Sequence, residues 1–144
     1  MPVLFRQLTI AGVGLIGGSL ALIARKHGLV ERITGLGRSQ ANLDIALERG
    51  LIDAATRDPA EAAHGADLLM LATPVLTFPS TLAAMTPYLP ANCVVTDVGS
   101  VKGWVIRELE PLLERGMALV GVHPVAGKEI TGAIAADEGL YAGR

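Results

Sequence analysis

Between two apolar stretches, Gly12-Val13-Gly14-Leu15-Ile16-Gly17 sets glycines at the first, third and sixth positions, and this turn constrains the fold more than any other feature. Ahead of it, Leu8 to Val13 reads as a strand. Behind it, Leu15 to His27 reads as a helix, with Ile16, Leu20, Ile23 and Ala24 at helical spacing. Arg25, Lys26 and His27 followed by Gly28 stop that helix, because cations complement its exposed carbonyls and glycine takes the left-handed cap. In this strand-turn-helix setting Gly12 would permit the tight turn, Gly14 the close approach of a diphosphate, and Gly17 the packing of helix on strand. Free N–H groups at the positive helix end would hold the anion, with Leu15 and Ile16 in the same turn counted among the binding residues.

The stretch from Leu8 to Ala24 carries no charge and superficially copies a secretory signal. Its four glycines (Gly12, Gly14, Gly17, Gly18) exclude that reading, since each costs about 1 kcal/mol of helix propensity. The 144 residues, 51% hydrophobic and 18% charged, suffice for one core and exclude disorder. Twelve Lys and Arg against fourteen Asp and Glu give a net charge of -2. With no basic run, nucleic acid and a charged membrane surface are not expected partners. Five aromatics (Phe5, Phe78, Tyr88, Trp104, Tyr141) leave the core to Ala, Val, Leu and Ile, as in a buried parallel sheet. The lone Cys93 forms no internal disulfide or cysteine metal site, fits a reducing, cytoplasmic setting, and reads as inert packing; no metal is expected.

Further along, a strand is predicted over Arg32 to Leu36. Ser39 then caps a helix with Leu43, Ala46 and Leu47 on one face, ending at Gly50. Asp58-Pro59-Ala60-Glu61 starts a short helix. Ala66 to Ala72 is an unbroken apolar run after Asp67, Phe78 to Met85 a helix, and Cys93 to Thr96 a strand. Val101 to Glu110 is a helix interrupted by Pro111, and Ala118 to Val122 is the last strand. Strand and helix alternate, which predicts an α/β, Rossmann-type doubly wound, mostly parallel sheet with helices on both faces, in one domain over residues 1–144.

Ligands bind such sheets outside the carboxyl ends of the strands. The segments expected there are the glycine turn, Gly37-Arg38-Ser39, Thr73-Pro74, Asp97-Val98-Gly99-Ser100 and His123-Pro124-Val125-Ala126-Gly127-Lys128-Glu129. An acid about 20 residues after the glycines ordinarily holds the ribose 2′-hydroxyl of NAD. Here Arg38 and Ser39 stand instead, a cation and a hydroxyl suited to a 2′-phosphate. A charged hydrogen bond contributes ~1.5–3 kcal/mol, so NADP is expected to be preferred over NAD by roughly 10- to 100-fold. His123 has two readings, a structural residue or a base that takes a proton from a hydroxyl as hydride leaves the same carbon. His27 reads as a helix-terminal cation and His64 as a loop residue. Ser100 either holds the imidazole or the nicotinamide amide, or caps the following helix. Lys102 and Glu129 are open between site and surface.

These segments together resemble the prephenate and arogenate dehydrogenases of tyrosine biosynthesis. The resemblance is carried by Gly12 to Ser19, Ala72-Thr73-Pro74, Asp97-Val98-Gly99-Ser100-Val101-Lys102 and His123 to Glu129, the last two being the specific ones. It implies oxidative decarboxylation of a cyclohexadienol, with hydride passing to the nicotinamide, His123 as base, Ser100 bonded near it, and Glu129 in the substrate-side network. It also implies a helical C-terminal domain that supplies the homodimer interface and an arginine for a substrate carboxylate. Because the chain ends at Arg144, it is expected to be the cofactor-binding part, incomplete for catalysis by itself. The rival readings are another NADP-dependent dehydrogenase of the hydroxyacid type and a non-catalytic NADP-binding module.

Overall fold

A computed structural model describes residues 3–98, 102–114 and 116–121. Six strands alternate with helices: β1 (Phe5–Ala11), α1 (Leu15–Lys26), β2 (Val30–Leu36), α2 (Gln40–Glu48), β3 (Ala54–Thr56), α3 (Pro59–Ala63), β4 (Leu68–Leu71), α4 (Phe78–Met85), β5 (Val94–Asp97), α5 (Lys102–Leu109) and β6 (Ala118–Gly121). They form one sheet in the order β3-β2-β1-β4-β5-β6, every neighbouring pair parallel. Successive strands step outward from β1 to β3, and the chain then crosses to the other side of β1 for β4. The sheet order therefore reverses between β1 and β4, and a crevice opens where the two crossovers diverge.

Side chains alternate across the sheet and build two cores. Leu8 and Ile10 of β1, Ile33 of β2 and Met70 of β4 pack with Ala21 of α1 and Leu43 and Ala46 of α2. On the other face Leu69, Leu71 and Val95 meet Ala62 of α3, Phe78, Leu82 and Met85 of α4, and Val105 and Leu109 of α5. Full burial of a side chain such as Phe78 or Leu82 contributes about 1.5–3 kcal/mol, so α4 is fastened by its large residues.

The helix that follows the glycine turn is fastened differently. Its buried residues are Gly17, Gly18, Ser19 and Ala21, whereas the expected stripe of Ile16, Leu20, Ile23 and Ala24 is only half-buried. Small residues let the helix axis approach the sheet, which turns the larger ones to its flanks. Leu47 likewise departs from expectation: it is 39% exposed, and α2 is seated by Leu43 and Ala46. β1 begins at Phe5 and ends at Ala11, two residues before the expected end, because Gly12 leaves the ladder at φ +98°. β3 has no counterpart among the strands read from the sequence, since three residues, Ala54–Thr56, carry no alternation; pairing with β2 makes them a strand. The terminators match the reading: Gly28 and Gly50 take positive φ, and Asp58 caps α3 by accepting the Ala60 N–H at 3.1 Å.

Candidate nucleotide-binding site

The carboxyl ends of β1 to β4 surround a cavity of about 630 Å³. That volume lies in the range of small-molecule and cofactor sites. Gly12, Val13 and Gly14 form its floor beside β1. Gly37, Arg38 and Ser39 line it beyond β2, Arg57 beyond β3, and Thr73 and Pro74 beyond β4. Thus three of the five segments read from the sequence line one cavity. Asp97 and Val98 end β5 at the same edge, with Asp97 fully buried. β6 stops there too, at Gly121, which lies beside Asp97. Gly99, Ser100, His123 and Glu129 lie outside the described residues.

Gly12 cannot be replaced without strain. Its φ of +98° is one that L side chains rarely adopt, and an added Cβ would lie 2.8 Å from the Ala72 carbonyl carbon and the Thr73 nitrogen. The Gly12 N–H donates to the Leu36 carbonyl at 2.9 Å, which joins the turn to the end of β2. Gly17 is occluded from the other side, where a Cβ would meet the Gly12 carbonyl oxygen and come 2.9 Å from Ile10 Cγ2. It is a packing position and does not line the cavity. Leu15 and Ile16 sit half-buried in the first turn of α1, behind Gly14 and outside the lining.

Gly14 is the N-cap of α1, with no side-chain cap and no acid in the first turn. The first N–H groups of a helix have no partner within it, and they carry its positive pole. Asn42 of α2 braces the turn, its Nδ2 donating to the Val13 carbonyl at 2.9 Å. Its own N–H donates to Ser39 Oγ at 3.2 Å, so Ser39 caps α2 and still has its hydroxyl proton to give to a ligand. Across the cavity, Thr77 Oγ1 donates to the Pro74 carbonyl at 2.6 Å. With that proton committed, the 2.8 Å contact between the two threonine hydroxyls has Thr73 as donor. Thr73, Thr77, Ser80 and Thr81 give this wall neutral hydroxyls.

The charged groups of the described lining are Arg38 and Arg57, and no carboxylate is among them. Sequence reading missed Arg57, Asn42 and the hydroxyls of α4. Arg57 follows a strand too short to show a pattern, and Asn42 sits on a helix face that was read only for packing. Outside the cavity, burial pushes the Cys93 thiol up to about 11, so it stays protonated at neutral pH. Among the described residues no three His, Cys, Asp or Glu side chains are grouped to hold a metal, and no helix is long and apolar enough to cross a membrane.

A glycine turn with positive φ, an open helix N-terminus and a sheet-order reversal above them define a dinucleotide-binding domain of the Rossmann type. A family model described as prephenate dehydrogenase, nucleotide-binding domain, matches residues 20–144, and the chain belongs to that family. A cyclohexadienyl dehydrogenase from Zymomonas mobilis is 34% identical over 128 residues, which is 89% of this chain and 43% of that protein. A crystal structure of prephenate dehydrogenase from A. aeolicus, in complex with hydroxyphenyl propionate and NAD+, superposes with a TM-score of 0.89 at 33% identity, covering 98% of this chain and 49% of that one. The Synechocystis arogenate dehydrogenase gives a TM-score of 0.83 at 34% identity, covering 93% of this chain and 46% of that one. The chain therefore spans less than half the length of each of these relatives.

Proposed function

We propose that this chain holds the coenzyme in an NADP-dependent dehydrogenase of tyrosine biosynthesis, which oxidatively decarboxylates prephenate, arogenate or both. The observation that carries the reading is the charge of the cavity: in a chain of this family, the adenosine end presents Arg38 and Ser39 and no described carboxylate. A ribose 2′-hydroxyl asks for an acceptor, whereas a 2′-phosphate asks for cations and donors. Arg38 offers a guanidinium and Ser39 an uncommitted O–H. The A. aeolicus enzyme was crystallised with NAD+, so the coenzyme choice of this chain rests on its own residues at the end of β2.

The remaining roles follow the family resemblance. Gly12, Gly14 and the first turn of α1 take the diphosphate, and Thr73, Pro74 and Gly99 flank the rest of the coenzyme. When bound, the nicotinamide supplies the hydride acceptor. His123 takes the ring-hydroxyl proton while the carbon bearing it loses hydride, and the electron pair of the broken carboxylate bond aromatises the ring as carbon dioxide leaves. Ser100 hydrogen-bonds beside His123, and Glu129 belongs to the substrate-side network. A helical C-terminal domain of the whole cytoplasmic enzyme supplies the dimer contact and a carboxylate-binding arginine.

Calorimetric titration of the chain with NADP and NAD tests the coenzyme half. NADP is expected to bind roughly 10- to 100-fold more tightly, and Arg38→Ala to remove most of that margin. Equal affinities in the unaltered chain would remove Arg38 from this role. In the enzyme that carries this domain, His123→Asn should abolish turnover of both cyclohexadienols and leave coenzyme affinity unchanged. Turnover that survives would make His123 structural.

A further inference from the structure

Arg57 enters the cavity from a strand that has no place in the glycine-turn pattern. The register pairs Leu36 of β2 with Thr56 of β3, and the Gly37 N–H donates to the Thr56 carbonyl at 3.2 Å. The two strands are thus held side by side up to the point where each releases an arginine, Arg38 from β2 and Arg57 from β3. Adjacent strands lie about 4.8 Å apart, so two guanidiniums on flexible stems can reach one anion between them.

The turn after Thr56 is fixed without using Arg57. Thr56 Oγ1 accepts the Asp58 N–H at 3.0 Å, and Asp58 Oδ1 accepts the Ala60 N–H at 3.1 Å. The nearest acid in sequence is therefore committed to capping α3. Among the described residues neither Arg38 nor Arg57 has an ion pair or a hydrogen-bonded side-chain partner. Two exposed cations converge on a cavity whose described lining contains no acid, an arrangement that repels itself until an anion arrives.

We propose that Arg57 is a second cation for the 2′-phosphate of NADP, so that coenzyme choice is set at the ends of two strands. This rests on the reading of Arg38 given above and deepens it. A phosphate monoester carries about −1.5 to −2 charges at pH 7, and one guanidinium leaves roughly half of that unbalanced. Two guanidiniums match it and can share its three terminal oxygens. An adenine-stacking role for Arg57 would instead serve NAD and NADP alike.

The test is calorimetric titration of the chain with adenosine 2′,5′-bisphosphate and adenosine 5′-monophosphate, comparing the unaltered protein with Arg57→Ala, Arg57→Lys and Arg38→Ala, each checked for folding by its thermal melt. Arg57→Ala should weaken the bisphosphate about tenfold and the monophosphate less than twofold, with Arg57→Lys recovering part of the loss. Equal weakening of both ligands, or no change in either, overturns the proposal. If Arg38→Ala costs the bisphosphate its advantage while Arg57→Ala does not, the second cation falls and the NADP reading stands. If the unaltered chain binds both ligands equally, both fall.

Discussion

The two walls of the cavity are built by different means. Beyond β2 and β3 the wall is charged and exposed, with Arg38 and Arg57 in no ion pair among the described residues and no carboxylate in the described lining. Beyond β4 it is neutral, with the hydroxyls of Thr73 and Thr77 already bonded to one another and to Pro74. Free charges discriminate between ligands that differ by a phosphate. Hydroxyls bonded among themselves fix the shape of a loop and leave the two coenzymes on equal terms. On the proposed reading selectivity and shape fall to opposite walls, and Gly12 lies between them, bonded to Leu36 and close against Ala72 and Thr73.

The most damaging way to break this division is at its centre. Gly12→Ala adds a Cβ 2.8 Å from backbone atoms of Ala72 and Thr73 and forces an alanine to φ +98°. It should destabilise the domain by roughly 3 kcal/mol and abolish binding of both coenzymes, as followed by urea unfolding and titration. A Gly12→Ala variant that melts and binds normally would show that the two walls are not set by this contact.

A smaller effect sharpens the contrast from the neutral side. Thr77→Val removes the hydroxyl that accepts from Thr73 and donates to Pro74. About 1 kcal/mol of stability should be lost, and NADP and NAD should weaken by the same factor, leaving their ratio intact. A changed ratio would move selectivity onto this wall.

The smallest effect lies outside the cavity. Asp53 is next to β3, accepting from the Ile33 N–H at 2.8 Å and pairing with Arg25 at 3.2 Å. Burial raises its pKa, but the Ile33 N–H and the Arg25 guanidinium outweigh it and hold the carboxyl below its usual 3.8. A lowered folded-state value means that this stabilisation is present above the unfolded value and is lost as pH falls through the folded one. With side-chain exposures of 39% for Arg25 and 35% for Asp53, the contribution is below about 1 kcal/mol. The stability gap between the native protein and Asp53→Asn should accordingly be constant from pH 7 to 5 and shrink below the unfolded-state value. Coenzyme preference should stay unaltered, and a gap that widens in acid would contradict the sign.

What could be read from the sequence follows the range of the interactions involved. Gly28, Gly50 and Asp58 act on neighbours within a few residues, and their caps were legible; Gly12 was legible from the spacing of its motif, although Leu36, Ala72 and Thr73, which it meets, are distant in sequence. Arg38 and Ser39 were legible because a known spacing from the glycines leads to the end of β2. Arg57 was not, because only the lateral pairing of Ala54–Thr56 with β2 brings it to the cavity. The face of α1 was misread for a related reason: periodicity selects the largest apolar residues, whereas close approach to a sheet selects the smallest. Asn42 shows the same limit, since its bond to Val13 spans 29 positions and leaves no local trace.

The place of β1 at the middle of the sheet bears on how the protein is made. Its partners are β2, which follows promptly after α1, and β4, whose Leu68 pairs with Leu8 across the intervening α1, β2, α2, β3 and α3. A nascent chain leaving the ribosome therefore carries one bare edge of β1 until Leu71 has emerged. Over that interval Leu8 and Ile10 are half-sheltered, and the backbone groups of β1 are open to any strand that passes. The coenzyme cavity needs the walls on both sides of that strand, so it is completed only when this edge closes. On the proposed reading, a nucleotide bound there would assist the last stage of assembly and could not template the first.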